Sequence, residues 1–320
     1  MLSSTHDDKK SKPKQTNKNN CFIKFEINVT KVINAYITYN PIIDNNQKAI
    51  FITFAKAQKN MKTKDVIKNI TKWLKDYSNS SKTNGFVVGV SGGIDSAITS
   101  TLCALSGKNT LCVLMPIHQN KNEFNRSSEH VKWLKSKFSN VSECTVNLSD
   151  TFDTLTKQIP TEIQGNLTMA NTRARIRMTT LYTFAGSNGM LVVGTGNKVE
   201  DFGVGFFTKY GDGGVDISPI ADLMKSEVYA IAKELKIIKC IQDAAPTDGL
   251  WADGRNDEDQ LGATYNELEW AMKEYKNSKE NRFIGRDKEV FDIFKKLHLA
   301  NQHKMKPIPV CIIPQKFKQI

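Results

Sequence analysis

The sequence predicts an α/β protein built on an open, doubly wound parallel sheet with flanking helices. Three observations predict it. Short, wholly apolar runs recur after residue 80 and read as buried parallel strands. Segments with apolar residues at helical spacing alternate with those runs. With 320 residues, 39% of them hydrophobic and 24% charged, the chain can bury one large core or two modest ones.

Residues 1–20 are rich in Lys, Asn and Ser with almost no apolar side chain, so they read as disordered. Residues 21–57 carry β-leaning segments without clear turn signals. After Met61, helical spacing places Val66, Ile70, Trp73, Leu74 and Tyr77 on one face, with Thr63 as the expected N-cap. A methionine directly before a well-formed first helix gives the expected division: a dispensable extension over residues 1–60 and a folded unit over 61–320.

Within that unit, FVVGV (86–90) reads as the first strand, and a helix follows over 96–105. TLCVLMPI (110–117) is the second strand, 127–138 the next helix and CTVNL (144–148) the third strand. A long helix is expected over about 171–185, then MLVVGTG (190–196) as the fourth strand and a helix over 226–237.

The formal charge is +12, which at first points to a nucleic acid or another anionic partner. Residues 1–60 hold ten lysines against four acids, however, so +6 of the +12 belongs to the extension. The remaining +6 is spread over 260 residues, and nucleic acid is disfavoured as a partner. Six cysteines are widely spaced with no C-x-x-C pair, and several sit in apolar runs, which excludes a disulfide framework and a structural zinc site. No apolar run reaches the roughly 18 residues of a membrane span, and no signal peptide is visible. A cytoplasmic protein with no membrane partner is expected.

The strongest chemical signal is Val90-Ser91-Gly92-Gly93-Ile94-Asp95-Ser96, set between a strand and a helix. Ligands of open α/β sheets bind there, beyond the strand's carboxyl end. Two glycines let backbone approach an anion, and two serines and the helix's free N–H groups complete a phosphate cradle. Asp95 would repel a bare phosphate, which implies a divalent cation between them. A tight turn with a capping Asp would use the same residues, and the loop alone does not decide between the two. It matches neither G-x-x-x-x-G-K-[ST] nor G-x-G-x-x-G. Glu200, after the fourth strand, falls at the same sheet edge as Asp95, and two such carboxylates suit Mg²⁺.

S-G-G-x-D-S resembles the pyrophosphate-binding loop of the N-type ATP pyrophosphatases, whose fold is adenine nucleotide alpha hydrolase-like, or Rossmann-like. Together with A-R-x-R (174–177), G-T-x-x-x-x-E (194–200), FFTKYGDGGVD (206–216) and P-I-x-x-L-x-K (219–225), it resembles the NAD synthetase family from about residue 63 to the C-terminus. The resemblance implies joining deamido-NAD⁺, ATP and ammonia into NAD⁺, AMP and pyrophosphate through an acyl-adenylate. It implies that Gly89, Val90, Ser91, Gly92, Gly93, Ile94, Asp95, Ser96, Thr195, Lys225 and Thr247 hold ATP. Asp95 and Glu200 would be the Mg²⁺ ligands. Arg175, Lys209, Asp216, His303 and Lys304 would contact deamido-NAD⁺. Asp95, Lys225 and Asp212 would be catalytic, with Asp212 near the ammonia. It also implies a homodimer. The chain departs from the family at Gln260, where bacterial relatives often have an acid, and in a longer DGLWADGRND segment. Sixty residues are too few for a glutaminase domain of about 100–150 residues, so free ammonia is the expected nitrogen source. A tRNA-modifying ligase is the alternative, and it would need a basic surface or an RNA-binding module, neither of which is visible.

Overall fold

The computed structural model describes residues 61–246, 256–277 and 283–318, which fall within a compact unit spanning Lys56–Ile320. The expectations for residues 1–60 and for Thr247 lie outside the described residues.

A four-stranded parallel sheet forms the centre, in the order β3-β2-β1-β4. β1 (Gly85–Gly89) pairs with β2 (Asn109–Leu114) and with β4 (Leu191–Val192), and β2 pairs with β3 (Val141–Thr145). Side chains alternate across β1. Phe86 and Val88 pack on one face with Ile70 and Leu74 of α1 (Thr63–Ser80), Ile98 and Leu102 of α2 (Ile94–Leu105), and Ile220. On the same side, Val131 and Leu134 of α3 (Lys121–Lys137) cover Cys112 and Leu114 of β2. Val87 faces the other way, against Phe152 of α4 (Ser149–Gln158) and Met169 and Ala185 of α5 (Asn166–Asn188). Helices on both faces explain why β1 and the end of β2 are apolar throughout, whereas β3 at the sheet edge is mostly polar.

Several boundaries differ from the sequence reading. Thr63 is the first helical residue rather than the cap. Lys62 precedes it without a side-chain cap bond, and Thr63 Oγ1 instead donates to Met61 O at 3.4 Å. The third strand starts at Val141, earlier than the 144–148 expected, because Thr110 to Leu114 pair with Val141 to Thr145. The fourth strand shrinks to two residues, beyond which Val193 bridges to Ile217. α5 runs longer at both ends than expected, to Gly189 in the left-handed conformation (φ 61°), a usual helix stop.

After α6 (Lys225–Glu234) and the short α7 (Lys239–Gln242), a second apolar cluster forms from α8 (Asp257–Leu261), α9 (Tyr265–Lys276) and α10 (Gly285–Met305). It packs on a π-helical turn at Val199–Val204, so the segment following β4 is anchored from behind. Among the described residues no helix is long and apolar enough to cross a membrane.

Candidate active site

The carboxyl ends of β1, β2 and β4 open into a cleft of about 270 Å³. Its floor is the loop after β1. Gly92 adopts φ +91°, and a Cβ there would lie 2.7 Å from the carbonyl oxygen of Glu123, so only glycine fits without backbone movement. Ser91 Oγ accepts from Gly93 N (3.2 Å), Ser96 Oγ lies 3.1 Å from Ser91 Oγ, and Ser96 Oγ also donates to Gly93 O (3.0 Å). These bonds hold the loop in shape. The first turn of α2 follows extended Gly93 with no side-chain cap, leaving its N–H groups to an anion.

Carboxylates meet at one side of this floor. Lys225, the first residue of α6, is buried, and its Nζ donates to Asp95 Oδ2 at 2.6 Å and Glu200 Oε1 at 2.9 Å. Burial alone would strip its proton. The charges of Asp95 and Glu200 outweigh that penalty and raise its pKa, so the ammonium persists. Burial raises the Asp95 pKa, with Lys225 opposing and Glu200 adding to the rise. Asn197 Nδ2 donates to Asp95 Oδ1 (3.1 Å), while Asn197 Oδ1 accepts from the Val199 and Glu200 amides. One asparagine thereby ties the Asp95 carboxylate to the backbone that carries Glu200. Tyr265 donates from its hydroxyl to Glu200 Oε1 (2.6 Å) or Asp257 Oδ2 (3.1 Å), and its ring centroid lies 4.7 Å from Lys225 Nζ. Burial first, then Glu200 and Asp257, push the phenol's pKa up and keep it a donor.

Asp95 and Glu200 therefore converge on a single cation. That cation is the Lys225 ammonium, and the same hard carboxylate oxygens are of the kind that would suit magnesium beside nucleotide phosphates. Among the described residues no group of three or more acids, histidines or cysteines could hold a metal ion.

Asp201 and Asp212 also line the cleft. Burial, followed by the charges of Glu200, Asp212 and Asp95, pushes the Asp201 pKa well up. The carboxylate of Asp212 is enclosed by protein yet open to the cleft's solvent. Its pKa is raised by burial against the Thr208 amide, which donates to Oδ1 at 2.9 Å. Met115 and Leu181 give the cleft an apolar stretch and pack over the end of β1, where a Cβ on Gly89 would lie 3.2 Å from Met115 and 3.4 Å from Leu181.

Gly89 to Ser96, Thr195, Glu200, Asp212 and Lys225, all expected from the sequence, line this one cleft. Arg175, Lys209, Asp216, His303 and Lys304 do not. Four of these gather instead around the loop at 205–209. Arg175 Nη2 reaches Lys209 O at 3.4 Å, Lys209 Nζ donates to His303 O at 2.5 Å, and Lys304 Nζ donates to the carbonyls of Gly205 (2.7 Å) and Phe207 (2.8 Å). Asp216 accepts from Val192 N (2.8 Å) and the Tyr182 hydroxyl (3.0 Å), joining β4 to α5. Sequence reasoning missed Asp201, Tyr265, Asp257 and Arg177 as site residues. Arg177 had a usable signal, because Ala174, Arg177, Met178 and Leu181 share a helical face and all four line the cleft.

A family model described as NAD synthase matches residues 66–308. The NH(3)-dependent NAD(+) synthetase of Mycoplasma genitalium is 39% identical over 210 residues, covering 65% of this chain and 82% of that protein. Among solved structures, the NMN synthetase from Francisella tularensis is similar with a TM-score of 0.69 and 29% identity, over 80% of this chain and 99% of that one. The NH3-dependent NAD synthetase from Campylobacter jejuni, in complex with the nitrate ion, gives a TM-score of 0.65 and 26% identity over 79% and 100%.

Proposed function

The chain belongs to the NAD synthase family, and on that premise we propose that it is an ammonia-dependent ligase that amidates deamido-NAD⁺ with ATP. The observation that carries this reading is the junction of the Ser91–Ser96 loop with the Asp95–Lys225–Glu200 cluster in one cleft. A carboxylate is a poor acceptor for ammonia, so the nicotinate carboxylate attacks the α-phosphorus of ATP and pyrophosphate leaves. Ammonia then attacks the acyl carbon of the adenylate, loses a proton, and AMP departs.

The loop and the open N-terminus of α2 hold the phosphates. Lys225 sits where negative charge grows on the departing pyrophosphate, an electrostatic contribution that needs no reorganisation during reaction. Asp95 and Glu200 would hold magnesium, which supplies charge neutralisation to the phosphates. Asp212 and Asp201 line the cleft with carboxylates, suitable groups for receiving and deprotonating ammonium. Arg175, Lys209, Asp216, His303 and Lys304 remain our candidates for the dinucleotide's distal part, and Thr247 for ATP.

We take the catalytic unit as residues 61–320, acting in the cytoplasm as a homodimer. Exposed apolar side chains at Ile163, Leu167 and Tyr182 on and beside α5 support a partner on that face. A second reading, a mononucleotide in place of the dinucleotide, is favoured by the likeness to the Francisella NMN synthetase.

Purified protein incubated with ATP, Mg²⁺ and ammonium plus either deamido-nucleotide, followed by mass spectrometry, tests both readings. NAD⁺ with AMP and pyrophosphate supports the first, and preferential NMN formation replaces it with the second. Equal rates with glutamine as sole nitrogen source would overturn the use of free ammonia.

A further inference from the structure

Arg177 is a cation inside the cleft that Glu123 and Asp212 influence without pairing with it directly. It lines the cavity from α5, and among the described residues it makes no ion pair. Its one hydrogen bond runs from Nε to the carbonyl oxygen of Met115, at 3.0 Å. That bond fixes the plane of the guanidinium and leaves both Nη groups uncommitted. Burial and the neighbouring Arg173 charge press its pKa down to about 10 against Glu123 and Asp212, so the surroundings do not neutralise it fully. A half-buried guanidinium with free donors is well suited to an anion, and its fork matches phosphate oxygens in pairs.

Position narrows the anion to one group. Leu181, one turn further along α5, packs over Gly89 at the end of β1. Ala174, one turn back, packs against Gly211 of the loop that carries Asp212. Met115, whose carbonyl Arg177 holds, also packs against Gly89, and the Glu123 carbonyl abuts Gly92 of the phosphate loop. Arg177 thus stands between the apolar end of β1, the phosphate loop and the loop that carries Asp212. In ATP the group between base and outer phosphates is the ribose with its α-phosphate, and the α-phosphorus is also the atom that the second substrate must reach.

We propose that Arg177 anchors the α-phosphate of ATP and of the adenylate formed from it. The proposal rests on the ATP-dependent reading above, deepens it by one residue, and involves no covalent step at Arg177 itself.

The test compares AMP, adenosine and inorganic pyrophosphate as ligands of the full chain, by calorimetry, in wild type, Arg177→Gln and Arg177→Lys. The charge-assisted bonds are worth roughly a tenfold or larger loss of AMP affinity in Arg177→Gln. Adenosine and pyrophosphate should stay within about twofold, since neither carries that phosphate, and Arg177→Lys should recover part of the loss. Phenylglyoxal labelling of Arg177 in wild-type protein, read by peptide mass spectrometry, stands independently of how the variants fold. AMP should protect the residue and adenosine should not.

AMP and adenosine weakening together would overturn the proposal in favour of a packing role. An unchanged AMP affinity with weakened deamido-nucleotide binding would overturn it in favour of the nicotinate carboxylate. Equal protection by AMP and adenosine would also overturn it. Wild-type protein that binds no AMP would sink the ATP-dependent reading along with it, whereas tight wild-type binding unaltered in Arg177→Gln sinks the assignment of Arg177 alone.

Discussion

Lys225 Nζ and Asp95 Oδ2 lie 2.6 Å apart, joining the first turns of two helices that are 130 residues distant in sequence. A cation at the start of α6 opposes that helix's dipole, and burial adds a further cost. Only the two carboxylates that it bridges make the position tenable. The arrangement therefore serves charge placement at the cleft rather than the stability of α6.

Replacing Lys225 with Met keeps the stem's volume and removes the charge. Asp95 and Glu200 then repel each other unpaired, and stability in metal-free buffer should fall by about 3–5 kcal/mol, read by chemical denaturation. Turnover should drop by roughly 10²–10³-fold if Lys225 also stabilises charge on the phosphates. A variant that melts early yet turns over normally would leave Lys225 a structural role only.

Gly92→Ala tests the loop by shape alone. The new methyl would approach the Glu123 carbonyl at 2.7 Å with φ at +91°, strain of about 1–3 kcal/mol. ATP affinity should fall while far-ultraviolet circular dichroism is unchanged. The matched control is Gly107→Ala, whose φ is also positive (+77°) but whose Cβ meets nothing within 4 Å. It should cost some stability and leave nucleotide binding intact.

How much of this was legible beforehand depended on whether a signal was local. FVVGV, TLCVL and the helix after Ser96 declared themselves because apolar runs and helical spacing are short-range patterns, and the cleft floor followed because Gly92 and Asp95 sit beside a strand end. Thr63 misled because a residue type that suits a cap also suits the first turn. Tyr265 and Asp257 were invisible because what brings them to Glu200 is the packing of α8 and α9 on the 199–204 turn, a long-range event without a local pattern. Asp216 entered as a ligand contact through the family resemblance, and no local pattern announced that its carboxylate fastens Val192 to Tyr182.

His130 supplies a pH prediction. It is fully buried, with Nε2 3.0 Å from Ser100 Oγ, and burial lowers its pKa from 6.5 to about 4. Between those values the unfolded chain binds a proton that the folded one refuses. Stability is therefore lost as pH falls through that window, by up to about 3 kcal/mol. Raised carboxylates such as Asp201 act in the opposite sense, so the comparison must be with His130→Gln. The stability advantage of wild type over that variant should shrink from pH 7.5 to pH 4.5 in urea titrations. A constant gap would show that His130 does not titrate in the window.

Tyr265→Phe isolates one hydroxyl. The phenylalanine ring keeps the packing on Leu268 and Met272 and the face presented to Lys225, at 4.7 Å in the wild type. Glu200 loses the donor at 2.6 Å and Asp257 the one at 3.1 Å. One phenol proton serves two carboxylates, so its removal leaves both with fewer donors and frees Glu200 to rotate. A modest stability loss of about 1–3 kcal/mol is expected. The distinguishing readout is the proposed magnesium site, because outer hydrogen bonds that orient a ligand are worth roughly tenfold or more in metal affinity. The Mg²⁺ concentration for half-maximal rate should rise by that factor with the rate at saturating Mg²⁺ nearly restored, and Mn²⁺ binding followed by electron paramagnetic resonance with ATP present should weaken in parallel. If the rate falls at every Mg²⁺ concentration and Mn²⁺ binds as in wild type, Tyr265 acts through Lys225 or the fold, and its hold on Glu200 is incidental to metal binding.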